Sequence, residues 1–452
     1  MGSRGRNLLK AGLNAANAPK PRGQAFRNLA RFFERLGDLA LRTPQALPKV
    51  AARIFGGFVL FEFLAGSVTV AIDTLRMWRQ TPAKPFPITE LPEVDVNGTK
   101  MQVYTSGIEV YTAMLEAIRQ AKSHVFFETF IWKNDEIGRL FKEALIEAAG
   151  RGVEVFVIWD AFGNINVPPA LTRFPTMRHL HVLRFGLFRS FFLSLRSTGR
   201  DHRKILTVDN AVGFIGGYNI GSLYATQWRD THLRVTGASV WDLTDAFTDF
   251  WNAHKTRRLP RMPQYASRAW RSDVAVARNE PNRFLFPVRG LYINALNKAR
   301  ERFWITQAYF VPDRDILAEL IATAERGVDI KVLMPEVSNH IAADWVARSF
   351  YSPMLEAGIE IWLYQGAMIH AKTATADGGW TTIGTANIDR LSMTGNYEVN
   401  MEVFSADLAR QMEQVFENDL TNARQLTLAE WEERPLVNRI VERMLRPLAS
   451  VL

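Results

Sequence analysis

One stretch occurs twice in this chain of 452 residues, and any fold has to accommodate both copies. The first runs from Asp201 to Gly221, DHRKILTVDNAVGFIGGYNIG; the second runs from His370 to Asp389, HAKTATADGGWTTIGTANID. Counted from His202 and His370, lysine stands at +2 (Lys204, Lys372), aspartate at +7 (Asp209, Asp377), glycine at +14 (Gly216, Gly384) and asparagine at +17 (Asn219, Asn387). An acid stands at +28 in both, Asp230 and Glu398. With only 8 histidines in the chain, agreement at this many offsets is not a chance match, and it points to one site assembled from two half-sites.

The surroundings of the copies repeat as well. Gly107 to Lys122 reads as a helix and His124 to Trp132 as a strand; Ile137 to Ala149 is again helical, and Arg151-Gly152-Val153 leads into a strand from Glu154 to Trp159. The same grammar returns as a helix at Leu291–Arg302, a strand at Phe303–Val311, a helix at Ile316–Ala324, then Arg326-Gly327-Val328 and a strand at Asp329–Met334. Short apolar runs alternating with helical ones predict an α/β fold in two related lobes. The glycine of each triplet reads as a helix C-terminal cap. The lobes are placed at 98–256 and 283–452, with Arg257–Asn282 as a basic linker and Leu408–Leu420 and Leu428–Leu448 as helices capping the second lobe.

The first 85 residues have a different character. Ala25 to Leu41 sets Phe26, Leu29, Phe32, Phe33, Leu36 and Leu39 on one helical face and Arg27, Arg31 and Arg35 on the other, a basic amphipathic pattern. Ile54 to Ile72 is 19 residues with one charge, Glu62, about the length of a minimal span. Residues 1–85 are therefore expected to be helical and membrane-associating, and Pro82–Pro92 a proline-rich linker. A second apolar stretch, Phe185 to Leu195, mixes Phe188, Phe191 and Phe192 with Arg189 and lacks clean periodicity, as a lipid-dipping loop would. The net charge of +9 suits an anionic partner. The chain has no cysteine, which excludes thiolate nucleophiles, disulfides and cysteine-ligated metals. His179 and His181 stand two apart but show no metal-site pattern, and neither Gly216-Gly217 nor Gly378-Gly379 lies in a nucleotide-binding fingerprint.

The chemistry of the repeat is phosphodiester chemistry. Two lysines and two asparagines can hold the non-bridging oxygens. One imidazole can attack phosphorus while the other protonates the leaving oxygen and later deprotonates the incoming one. Asp230 and Glu398 are suited to orient the imidazoles.

His202-Lys204-Asp209 and His370-Lys372-Asp377, with the glycine and asparagine elements behind them, resemble the two HKD motifs of the phospholipase D superfamily. The likeness runs from about residue 98 to the C-terminus, and within the superfamily it is greatest to bacterial cardiolipin synthases. The resemblance implies two pseudo-symmetric α/β lobes sharing one active site, a covalent phosphohistidine, and no metal or other cofactor. It casts His202 as nucleophile, His370 as acid and base, and Lys204, Lys372, Asn219 and Asn387 as phosphate ligands. Asp209 and Asp377 complete the motif and are expected to hold the local fold. It also implies a phosphatidyl transfer with an anionic phospholipid partner and phosphatidylglycerol as donor; the alternative is a phospholipase D-type phosphodiesterase acting as lipid hydrolase or nuclease. The amphipathic N-terminus, Ile54 to Ile72 and Phe185 to Leu195 favour lipid, so no nucleic-acid partner is expected, and they suit peripheral or monotopic attachment to a bacterial inner membrane. One departure is the leucine in Asp389-Arg390-Leu391-Ser392, where synthases carry an arginine-serine pair.

Overall fold

The computed structural model describes residues 83–186, 199–263 and 273–450. The amphipathic helix at 25–41, the apolar run at 54–72 and the side chains of Phe188, Phe191 and Phe192 lie outside the described residues. No helix among the described residues is long and apolar enough to cross a membrane.

The first lobe is built on strands β1 (Val94–Val96), β2 (Thr99–Tyr104), β3 (His124–Thr129), β4 (Glu154–Asp160), β5 (Leu180–Phe185), β6 (Ile205–Val208), β7 (Val212–Gly216) and β9 (His232–Gly237), in the order β1-β2-β9-β7-β6-β3-β4-β5. The short β8 (Trp228–Arg229) leaves this sheet and pairs elsewhere. The second lobe holds β10 (Val274–Asn279), β11 (Arg302–Gln307), β12 (Asp329–Pro335), β13 (Glu360–Tyr364), β15 (Lys372–Ala376), β16 (Trp380–Gly384), β17 (Glu398–Phe404) and β18 (Ala423–Leu426), in the order β10-β17-β16-β15-β11-β12-β13-β18. The two sheets share one pattern. β3, β4 and β5 run parallel, as do β11, β12 and β13, while the hairpins that carry the repeated motifs pair antiparallel to them. Helices at Gly107–Gln120, Glu136–Gly150, Pro287–Lys298 and Arg314–Glu325 make the crossovers.

Local sequence explains these elements. Asp135 and Asp313 accept backbone N–H groups at the starts of their helices. Gly152 and Gly327 adopt φ of +91° and +88° just past the helix ends, where a side chain would be strained. Each motif hairpin turns through two left-handed residues, Asp209-Asn210 and Asp377-Gly378, as a tight antiparallel hairpin requires.

Three expectations change. The linker 257–282 is not linker throughout, because Val274–Asn279 is a β-strand paired along its length with β17. The C-terminal helix expected over 428–448 is two helices, Leu428–Glu432 and Leu436–Leu445, separated at Pro435, which cannot continue a helical ladder. Residues 83–92 of the proline-rich segment are a strap over both lobes. Ala83 N donates to Gln227 Oε1, Lys84 N to the Gly366 carbonyl, and Gln411 Nε2 to the Pro92 carbonyl.

The sheets meet face to face. Ile205, Ile215, Leu233 and Val235 of the first share a buried apolar cluster with Ile383, Val399, Met401 and Val403 of the second. Beside it, β8 pairs in parallel with β14 (Met368–Ile369), a two-stranded seam that belongs to both lobes.

Candidate active site

The seam brings the two histidines together. His370 follows β14 directly, and its N–H donates to the Arg229 carbonyl in β8. His202 is held in the same way at the other crossing, its N–H donating to the Tyr397 carbonyl just before β17. Each histidine is therefore anchored by the opposite lobe.

The side chains cross over too. His202 Nδ1 lies 3.0 Å from both carboxylate oxygens of Glu398, and His370 Nδ1 lies 2.6 Å from Asp230 Oδ2. The acid following one motif thus serves the histidine of the other. With Nδ1 engaged on each ring, Nε2 is left for chemistry. The two half-sites differ in how they seat these acids. Thr385 Oγ1 donates to Glu398 Oε2 at 2.6 Å. At the matching position stands Gly217, where a Cβ would fall 2.1 Å from Asp230 Oδ1. The longer acid is held by a hydroxyl, and the shorter one fills space left by a missing side chain.

The site is dry. The His370 side chain is 5% exposed and that of His202 12%, so His202 is the more accessible ring. Burial lowers both imidazole pKa values; for His370 the neighbouring Lys372, Lys204 and His202 add to the effect and take it well below the usual range. Burial also brings Lys204 down to about 8 and Lys372 to about 7, and pushes Asp230 up to about 6. Both ammonium groups fold back on the motif backbone. Lys204 Nζ donates to the His202 carbonyl at 2.6 Å, and Lys372 Nζ donates to the His370 carbonyl. Aromatic rings wall the imidazoles: Phe130 packs edge-on against His202 at 4.8 Å, and Trp228 lies 4.9 Å from His370.

The asparagines sit in matching places but in different states. Asn219 Oδ1 accepts the Ile131 N–H at 3.1 Å. Asn387 Oδ1 is buried with no partner among the described residues, leaving that amide available to a ligand. Asp209 and Asp377 lie at the far ends of their strands from the histidines. Asp209 accepts the N–H groups of Lys122, Ser123 and His124, and Asp377 those of Arg300, Glu301 and Arg302. Asp389 caps the short helix Arg390–Thr394 by accepting the Ser392 N–H, so Ser392 belongs to that cap.

Sequence reading identified both acids but not their exchange across the lobes. It also missed Thr385, Phe130 and Trp228, which carry no motif; the replacement of Gly217 by Thr385 in an otherwise matching repeat was the available signal for the first. His179 and His181 share one carboxylate, that of Glu154. They bind the two oxygens of Glu154 at 2.6 and 3.2 Å, and no group of three or more such side chains among the described residues could hold a metal ion.

Two α/β lobes closing on one paired His/Lys centre make a phospholipase D-like architecture. The family described as "Cardiolipin synthase, PLD-like domain" matches residues 114–251 and 292–420. The chain is 32% identical to the cardiolipin synthase of Geobacillus thermodenitrificans, over 77% of this chain and 72% of that one. It is 30% identical to the major cardiolipin synthase of Bacillus subtilis, over 78% and 75%. A crystal structure of phosphatidylserine synthase from Haemophilus influenzae superposes with a TM-score of 0.60 over 81% of this chain and 95% of that one, at 15% identity, a likeness of fold. The chain belongs to the family of PLD-like cardiolipin synthases.

Proposed function

We propose that this enzyme transfers a phosphatidyl group from one phospholipid to the headgroup hydroxyl of a second, through a phosphohistidine on His202, with phosphatidylglycerol as donor. The observation that carries this reading is the crossed pair of histidine–carboxylate dyads in a buried site with two lysines. The synthase names of the relatives supply the substrate class.

Nε2 of His202, its Nδ1–H held by Glu398, attacks phosphorus. The P–O bond to the leaving glycerol breaks, and that oxygen takes the proton from Nε2 of His370. In the second half, a hydroxyl of the acceptor lipid gives its proton to His370 as its oxygen attacks phosphorus. The P–N bond breaks and His202 is restored. Two phosphatidylglycerols give cardiolipin and free glycerol. Lys204, Lys372, Asn219 and Asn387 hold the non-bridging oxygens; an anionic phosphate also offsets the lysine charges that, after burial, lower the His370 pKa. Asp209 and Asp377 secure the hairpins.

Water competes for the phosphohistidine, so transfer needs a dry, lipid-facing mouth. We assign that task to the stretch containing Phe188, Phe191 and Phe192, and membrane attachment to residues 1–85, a peripheral or monotopic arrangement on the inner membrane. Replacing the three phenylalanines with serine is expected to lower the ratio of transfer to hydrolysis; an unchanged ratio would remove the loop from the account. The function itself is tested by mass spectrometry of lipids after incubation with isotopically distinct phosphatidylglycerol and phosphatidylethanolamine. A dimeric lipid carrying the phosphatidylglycerol label is expected. Absence of such a product, with added nucleic acid degraded instead, would make the protein a nuclease.

A further inference from the structure

The helix Leu436–Leu445 packs Leu445 against the second-lobe core, yet it also buries an acid and leaves an apolar stripe uncovered. A surface helix normally turns its apolar stripe to the core and its charges to water. Here Glu442 is the buried residue, its side chain 4% exposed and bound by Arg348 and Arg434 at 3.0 Å each. Leu436, Val437, Ile440 and Met444 face outward, 71%, 67%, 50% and 73% exposed. Spacings of four (Leu436, Ile440, Met444) and three (Val437, Ile440) place these four on one stripe. Arg439, Arg443 and Arg446 follow one border of it, and none of the three pairs with a carboxylate among the described residues. They line a cleft of about 400 Å³ beside the helix, together with Arg348 and Arg434, which Glu442 pairs, and with Glu356 and Glu432, so arginines outnumber acids there. A second cleft, of about 280 Å³, joins Arg348 and Arg434 to Tyr309, whose ring is 6.3 Å from that of His370.

We propose that this helix docks the second lobe on an anionic phospholipid surface, with the apolar stripe seated at the acyl boundary and the arginines of the cleft against headgroup phosphates. An amphipathic helix with an arginine border is suited to that interface. The competing occupants fit less well. A stripe about 15 Å long and about 10 Å wide offers about 150 Å², small beside the roughly 800 Å² per partner of a stable dimer. The amphipathic segment at 25–41 of the chain itself is also arginine-rich, so like charges would meet along the border. The inference rests on the phospholipid reading of the function for its purpose, but its test does not use turnover.

The absence of native cysteine allows a single-site probe in the full-length protein. Ile440→Cys is labelled with a polarity-sensitive fluorophore, and Glu116→Cys, on a polar helix face of the first lobe, serves as the comparison. With phosphatidylglycerol vesicles, the probe at 440 is expected to brighten, shift to the blue and be quenched by a bilayer-embedded quencher, while the probe at 116 stays in water. Ile440→Asp with Met444→Asp is expected to lower the vesicle partition coefficient by roughly tenfold or more. A probe at 440 that stays in water on vesicle-bound protein would overturn the proposal. So would a probe already shielded without vesicles, which would mean the chain's own N-terminal segment covers the stripe, or one shielded only at high protein concentration, which would mean a second copy does. Transfer measured in mixed micelles on the same samples reads the active site separately; its failure would count against the function and not against the docking helix.

Discussion

Gly217 shows how narrowly the site is drawn at the scale of single residues. The Asp230 carboxylate occupies the place a Cβ would need, and that carboxylate holds His370. Gly217 is not in the left-handed region, so Gly217→Ala leaves the backbone unstrained and displaces the acid. A fall in kcat of roughly 100-fold with little change in Tm is expected, because misplacing a catalytic group by an ångström costs about that much. Retention of full activity would show that His370 does not depend on Asp230. The ionisable groups give a second expectation. Asp230, raised to about 6 by burial, is protonated below that pH and no longer accepts from His370 as an anion. Lys372 and Lys204, lowered to about 7 and about 8, lose their charges above those values and with them their grip on phosphate. Measured kcat/KM should therefore rise through pH 6 and fall between pH 7 and 8. At saturating substrate the bound anion raises the lysine pKa values, so the alkaline limb of kcat moves upward. A profile flat across this range would show that these groups do not control the reaction.

Hairpins are the elements that deliver the motif, and their turns explain its third residue. Asp209 and Asp377 each adopt a left-handed conformation and each gather three backbone N–H groups from the segment before β3 or β11. Asp209→Ala is expected to cost about 1–3 kcal/mol of stability, seen as a lower Tm, while kcat per folded molecule changes only a few-fold. Loss of kcat at unchanged Tm would move Asp209 into the chemistry. Elements of this kind were legible from sequence because local rules made them. The Arg-Gly-Val triplets marked helix ends, and alternating apolar residues marked strands. Val274–Asn279 was not legible, since its arginine-rich surroundings resemble a linker and only pairing with β17, 119 to 129 residues away, makes it a strand. The exchange of Asp230 and Glu398 between histidines was hidden for the same reason: equal offsets within each copy name the acids but carry no information about packing between copies.

Across the whole molecule, the two lobes are held by more than the shared apolar face. Arg229, fully buried, donates from Nε and Nη2 to the two carboxylate oxygens of Asp419 at 2.9 and 2.8 Å, tying the first lobe to a helix of the second. It lies beside Asp230, so the tie that joins the lobes also fixes the acid behind His370. Arg229→Met strands a buried carboxylate and should destabilise by about 3–5 kcal/mol, whereas Arg229→Met with Asp419→Leu should recover much of that. A double variant as unstable as the single one would mean the pair does not act as a unit. The division of labour between the two histidines of the shared site is read out by trapping the intermediate. Enzyme turning over phosphatidylglycerol labelled at phosphorus is quenched in alkali, digested and mapped for the modified histidine. The phosphatidyl group is expected on His202, absent from His202→Ala and accumulating in His370→Ala supplied with a substrate whose leaving group needs no proton. Label found on His370 instead, or product formed with no adduct on either ring, would contradict it.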